Sequence, residues 1–235
     1  VEQDRIYALQ ALAYLSQGTR PVEGTTNLAV DPNLYSRAIQ DLGQAIQRDP
    51  DEAIYYVWRG AAYQSLSQIE GAAGAPARGA TNDLSEAFAN YQQALEIGGL
   101  DYKQRGQTLV GLGWLAYERA QYDEAIRQFQ KALQADDSSA AAWLGMGYAL
   151  YKTDRFNEAQ RTWEKAADLE PQDPAILISL GTVHWKLGGQ AGRELGREPC
   201  VEYEQAADYF DQATERDKLW PQADDQVAFT YRTLG

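Results

Sequence analysis

Between Gly106 and Asp173 the chain writes one pattern twice, 34 residues apart. Leu112-Gly113 returns as Met146-Gly147, Tyr122 as Phe156, Ala125 as Ala159, Phe129 as Trp163 and Ala132 as Ala166. A fixed period of this length constrains the fold more than any other feature, because each copy is one small structural unit that must stack on its neighbours.

One copy, Ala140 to Asp173, shows what the unit is. Trp143, Met146, Gly147 and Leu150 fall at i, i+3, i+4 and i+7, one face of a helix. After the polar turn Thr153-Asp154-Arg155, a second face carries Phe156, Ala159, Trp163 and Ala166. Gly147 and Ala159 let the two helix axes approach closely, and Ala166 sits where the next repeat packs. Pro171 stops the second helix because it has no backbone donor to extend the ladder.

These residues resemble the tetratricopeptide repeat family. Its pattern places an aromatic, Leu-Gly and an aromatic on the first helix, then Ala, an aromatic, Ala and a trailing Pro around the second. The resemblance implies an all-α, right-handed α-solenoid of helix-turn-helix repeats, with a concave face lined by first helices.

The same register extends along the chain as a single domain, 1–235. Repeats are expected at about 3–52, 53–105, 106–139, 140–173 and 174–219, with a closing helix at 221–235. Tyr35, Ala38, Leu42, Ala45 and Pro50 mark the second helix of repeat one. Tyr56, Gly60 and Tyr63, then Leu84, Ala87, Tyr91 and Ala94, mark repeat two. Leu177, Leu180, Gly181 and His184, then Tyr203, Ala206, Phe210 and Ala213, mark repeat five. Repeats one, two and five each carry an insertion between their helices, at about 19–32, 67–81 and 189–202. They are expected as surface loops along one edge, and Asn82 or Asp83 as the cap of the helix after the second.

Composition narrows the partners. The formal net charge of −13 disfavours nucleic acid and anionic membrane, and favours a partner of basic character. No stretch approaches the roughly 20 apolar residues of a membrane helix, so no membrane insertion is expected. A single cysteine, Cys200, rules out an internal disulfide framework and suits a reducing, cytoplasmic setting. The chain opens on Val1, so the lack of a signal pattern excludes nothing.

The chemistry that resembles catalysis fails on context. Gly111–Ala116 matches G-x-G-x-x-A, but both glycines fall inside a helix rather than between a strand and a helix. Gly71–Thr81 is Gly-rich without a following Gly-Lys-Ser/Thr, which makes it a flexible insertion rather than a phosphate cradle. His184 is the only histidine and sits at a core-type position. One His and one Cys assemble neither a zinc site nor a His-based triad. Neither catalytic residues, metal nor cofactor are therefore expected, and the chain reads as a non-enzyme.

Under the resemblance, the positions one and five places beyond Trp143 face the groove, with Tyr151 and Lys152 beside them. Collected by repeat, these are Val110, Trp114 and Tyr117; Leu144, Tyr148, Tyr151 and Lys152; Ile178, Trp185 and Lys186; and Phe229 and Arg232 on the closing helix. The aromatics offer large apolar area with a polar handle, the chemistry of binding hot spots. Lys152, Lys186 and Arg232 suit an acidic group on the partner. Trp58, Trp143 and Trp163 are assigned to packing between helices. Some members of the resembled family clamp a chaperone's C-terminal carboxylates with Lys, Asn and Arg at the inward positions. Val110/Trp114, Leu144/Tyr148 and Ile178/Thr182 stand there instead, so apolar anchors fit better. The expected function is a scaffold or adaptor that holds a peptide segment of a protein partner. Two alternatives come from other classes: a regulatory or substrate-recruiting region of a larger enzyme, and a self-assembly module docking through the closing helix.

Overall fold

The computed structural model describes residues 2–18, 31–72, 77–195 and 200–216, and every regular element among them is an α-helix. In chain order these are α1 (Glu2–Gly18), α2 (Pro32–Arg48), α3 (Ala53–Ala72), α4 (Ala77–Ile97), α5 (Tyr102–Glu118), α6 (Tyr122–Ala135), α7 (Ala140–Lys152), α8 (Phe156–Leu169), α9 (Pro174–Leu195) and α10 (Cys200–Arg216). None of the described helices is long and apolar enough to cross a membrane. Where the sequence suggests one array, the chain divides into two compact units, Val1–Leu115 and Ala116–Gly235, with the boundary inside α5. In each unit, helices consecutive in the chain pack on one another. First helices also touch across a pair, α1 on α3 and α7 on α9. The expected closing helix, with Phe229 and Arg232, and most of the first insertion lie outside the described residues.

Local chemistry sets the helix ends. Asp31 caps α2 by accepting from the Asn33 N–H at 2.9 Å, and Pro32 opens the helix where no donor is needed. Ser139 caps α7. Asp173 accepts from the Ala175 N–H at 2.8 Å, ahead of Pro174. Gly98 and Gly99 stop α4 in the left-handed region, with φ of 79° and 76°. The turn between paired helices is itself repeated in backbone detail. Ala120 and Asp154, 34 residues apart, both adopt positive φ. The Gln121 N–H bonds Ala116 O, and the Arg155 N–H bonds Leu150 O, the six-to-one bond of a Schellman ending.

The described residues of the second and third insertions are helical. α3 continues to Ala72 and α4 starts at Ala77, so most of 67–81 lengthens two helices. Asn82 and Asp83 therefore lie inside α4 rather than capping it. Ala72, Ala77 and Ala80 favour the helical ends, since alanine is the strongest helix former. Likewise α9 runs on to Leu195 and α10 begins at Cys200, placing most of 189–202 in helix.

Pairs are locked by rings set against glycines. In the first unit, a Cβ on Gly60 would lie 2.9 Å from the Tyr91 ring, and one on Gly111 2.6 Å from the same ring. Tyr91 on α4 is thus held between the first helix of its own pair and that of the next. In the second unit a Cβ on Gly145 would meet Phe129 at 2.4 Å, one on Gly147 Trp163 at 2.2 Å, and one on Gly181 Phe210 at 2.6 Å. Phe129, Trp163 and Phe210 are almost fully buried, so none can yield to an added methyl. Trp163 also donates its indole N–H to the Leu144 carbonyl at 3.1 Å, a contact that the bare Gly147 leaves room for. Gly111, the first glycine of the rejected nucleotide fingerprint, is therefore the seat of a ring.

Candidate functional site

The first helices of the second unit form a connected tier. Tyr117, at the end of α5, lies 6.4 Å from Tyr148 on α7, centroid to centroid. The Tyr148 hydroxyl is hydrogen-bonded to Ser179 Oγ on α9 at 2.9 Å. Tyr148 also meets Trp163 edge-on at 5.4 Å, and Tyr151 meets Phe156 edge-on at 5.1 Å. Burial raises the hydroxyl pKa of Tyr117, Tyr148 and Tyr151, with the Ser179 bond partly opposing it at Tyr148. The rings stay protonated and neutral, and serve as apolar surface with a hydrogen-bonding tip.

The expected groove residues in this unit keep one side exposed. Tyr117, Leu144, Tyr148, Tyr151, Ile178, Trp185 and Lys186 are all half-buried, and Lys152 is exposed. Lys186 reaches over the Trp185 ring, 5.4 Å from its centroid. Val110 and Trp114 are half-buried on the part of α5 that belongs to the first unit. The tier is both packing and surface: the same rings that brace α7 against α8 present their outer edges.

His184 takes the core place that its spacing suggests. It is 5% exposed, pairs through Nδ1 with Glu202 at 2.7 Å and stacks on Tyr209. It thereby ties α9 to α10. Among the described residues no cluster of three or more His, Cys, Asp or Glu is arranged to hold a metal ion.

Sequence reasoning passed over a second surface. In the first unit, α1 and α3 enclose an open apolar cavity of about 270 Å³ walled by Ala8, Leu9, Leu12, Ile54, Tyr55 and Trp58. Arg5 and Glu52 stand at its rim. Leu9 is 65% exposed and its neighbour Ile6 51%, an unusual investment of apolar side chain in solvent. Tyr55 forms the cavity's floor and is fixed by donating its hydroxyl to Asp4 at 3.0 Å. Burial, that bond and the negative charges of Asp4, Glu52 and Asp49 push the Tyr55 hydroxyl up to about 12. Trp58, assigned from sequence to packing alone, does pack against the core containing Leu42 and Ile46, but its other side lines this cavity. Trp143 is likewise only half-buried, and donates its indole N–H to Asp137 O at 3.0 Å. Of the three tryptophans, Trp163 alone is wholly core.

One signal for Trp58 was present in the sequence. At the central ring position of the second helix stand Leu42, Tyr91, Phe129 and Trp163 in successive repeats. On the next first helix, the facing residues are Trp58, Gly111, Gly145 and Ser179. Large meets small throughout, and only after Leu42 is there room for a tryptophan.

Known proteins give the same architecture. The tetratricopeptide repeat family matches residues 77–138 and, in a second match, 116–181. No curated protein matches the chain. Among solved structures, the Pseudomonas aeruginosa pilF protein is 17% identical, with a TM-score of 0.66 over 99% of this chain and 90% of that one. PilW, described as a widely conserved type IV pilus biogenesis factor, is 19% identical, with a TM-score of 0.66 over 97% and 89%. YrrB, described as a tetratricopeptide protein with an unusual peptide-binding site, is 17% identical, with a TM-score of 0.57 over 97% and 91%. At these identities the likeness is one of fold.

Proposed function

We propose, since residues 77–181 of this chain are tetratricopeptide repeats, that it is a protein-interaction scaffold whose second unit holds a peptide segment of a partner. The observation that carries this is the first-helix tier of Tyr117, Tyr148, Tyr151, Ile178 and Trp185. Its rings are braced from behind and half-exposed in front. Rings fixed in advance lose little entropy when a partner covers them, which is what makes an anchor. Lys152 and Lys186 add cationic heads beside that surface and suit an acidic group on the segment. YrrB, a tetratricopeptide protein of similar fold described as having an unusual peptide-binding site, agrees with this reading.

The test is a peptide-library screen of wild type and Trp185→Ala, with helicity checked by circular dichroism. A motif selected by wild type should bind Trp185→Ala about 30-fold more weakly, which corresponds to roughly 2 kcal/mol. Binding that survives the change, in a protein that still folds, removes the tier as the site.

A further inference from the structure

The α1–α3 cavity belongs to the first unit and is separate from the aromatic tier. We propose that it is a second docking site, one that takes a partner segment carrying a large apolar side chain with a lysine or arginine within one turn of it. The inference rests on the reading of the chain as an interaction scaffold and adds a location and a partner chemistry.

Three observations support it. The first is shape. A cavity of about 270 Å³ holds one large side chain rather than a cofactor-sized ligand, and its mouth is open. Its α1 wall, Arg5, Ala8, Leu9 and Leu12, follows i, i+3, i+4 and i+7, and Ile54 and Trp58 stand one turn apart on α3. The second is exposure. Leu9 sits at the mouth, and an isolated exposed leucine is unremarkable, but one that walls a cavity beside Trp58 is an unfilled contact.

The third is charge. The chain between α2 and α3 carries Asp49, Asp51 and Glu52, and none of them makes an ion pair among the described residues. Glu52 is on the cavity rim, and the field of Glu52 and Asp49 reaches the Tyr55 hydroxyl on its floor. Arg48, the nearest cation in sequence, is directed away onto Gln3 and over the Tyr7 ring. Against Arg5 on the lining stand Glu52 on the same lining and Asp49 and Asp51 in the same connection, an acidic excess. An apolar anchor entering here therefore brings its neighbours against a net acidic edge, which rewards a cation and repels a carboxylate. This preference is opposite in sign to that of the second tier, where the free heads are Lys152 and Lys186.

The experiment uses the whole chain and two labelled synthetic peptide sets. Each carries a single Leu, Phe or Trp in a neutral background, flanked within four residues by Lys in one set and by Glu in the other. Binding is read by fluorescence anisotropy at two salt concentrations, and self-association by sedimentation. A glutamate-flanked anchor also suits Lys152 and Lys186, so the two sets are compared on the Trp185→Ala chain, where the lysine set should bind at least about 10-fold more tightly than the glutamate set and weaken with salt. Adding Leu9→Ser should lower that affinity by about 10-fold. Adding Glu52→Lys should shift the preference toward the glutamate set. If Trp185→Ala abolishes binding while Leu9→Ser and Glu52→Lys do not, the cavity is no docking site and the second-unit reading stands alone. If neither set binds, the inference falls, and a library screen that still selects a Trp185-dependent motif keeps the second-unit reading separate from it. If Leu9→Ser changes only sedimentation, the occupant is a second copy of the chain and the proposed partner chemistry is wrong.

Discussion

The first-helix tier of α1 and α3 and that of α7 and α9 are built to the same register, yet one leaves a cavity and the other presents a surface of braced rings. In the second unit Tyr148 spans its tier, bonded to Ser179 and leaning on Trp163. The residue at that register on α1 is Leu12, which lines the cavity. The contact between successive pairs differs as well. Phe129 fills the space over Gly145, whereas Leu42 leaves room for Trp58. The backbone pattern therefore sets where a groove lies, and side-chain size sets whether it holds a cavity or a surface of braced rings.

The largest expected effect comes from spoiling the braced tier. Gly145→Ala puts a Cβ about 2.4 Å from a ring that cannot move, and should destabilise the second unit by about 1–3 kcal/mol in urea unfolding. Adding Phe129→Leu should restore much of that loss, because the pair then imitates Leu42 with a larger neighbour. Failure of the rescue would mean that Gly145 serves the helix backbone rather than the ring.

The reciprocal change tests the open tier. Leu42→Phe should destabilise the first unit by about 1–3 kcal/mol by crowding the core against which Trp58 packs. Combined with Trp58→Gly, the two should show a favourable coupling of about 0.5–3 kcal/mol. Additive losses would break the size-exchange account.

Smaller effects sharpen the contrast. Tyr148→Phe removes the bond to Ser179 and should lower stability by about 1 kcal/mol without closing or opening the groove. The Tyr55 hydroxyl is favoured in its protonated form by the fold, with its pKa raised from 10.0 to about 12. That contribution is complete below pH 10, where folded and unfolded chains are both protonated, and is lost as pH rises from 10 to 12. Tyr55→Phe should therefore flatten the alkaline fall of stability in that window, as followed by circular dichroism in fixed urea.

Helix pairing was legible because a 34-residue period with small residues at fixed places admits few other folds. The close helix approach at Gly147 was legible for the same reason, but not the ring that it seats. Gly111 and Gly145 were not, because each seats a ring of the preceding pair, and a repeat read one copy at a time shows only its own contacts. The extent of α3 and α4 into the second insertion was misread because its glycines suggest a loop, while Ala72, Ala77 and Ala80 favour helix.

The aromatic tier was half legible. Spacing placed Tyr117, Tyr148, Tyr151, Ile178 and Trp185 on first helices, and they lie there half-exposed. Spacing did not show that Tyr148 is bonded across to α9, nor that Trp58 has one side in the core and one at an open cavity. Residue order alone determined the helices, their pairing, their turns and the acidic balance of the chain, because those depend on neighbours within one period. Which grooves are filled, and which apolar side chains are left facing water, was decided by the tertiary structure. A cavity is the volume that several helices together fail to occupy, and no single stretch of sequence contains it.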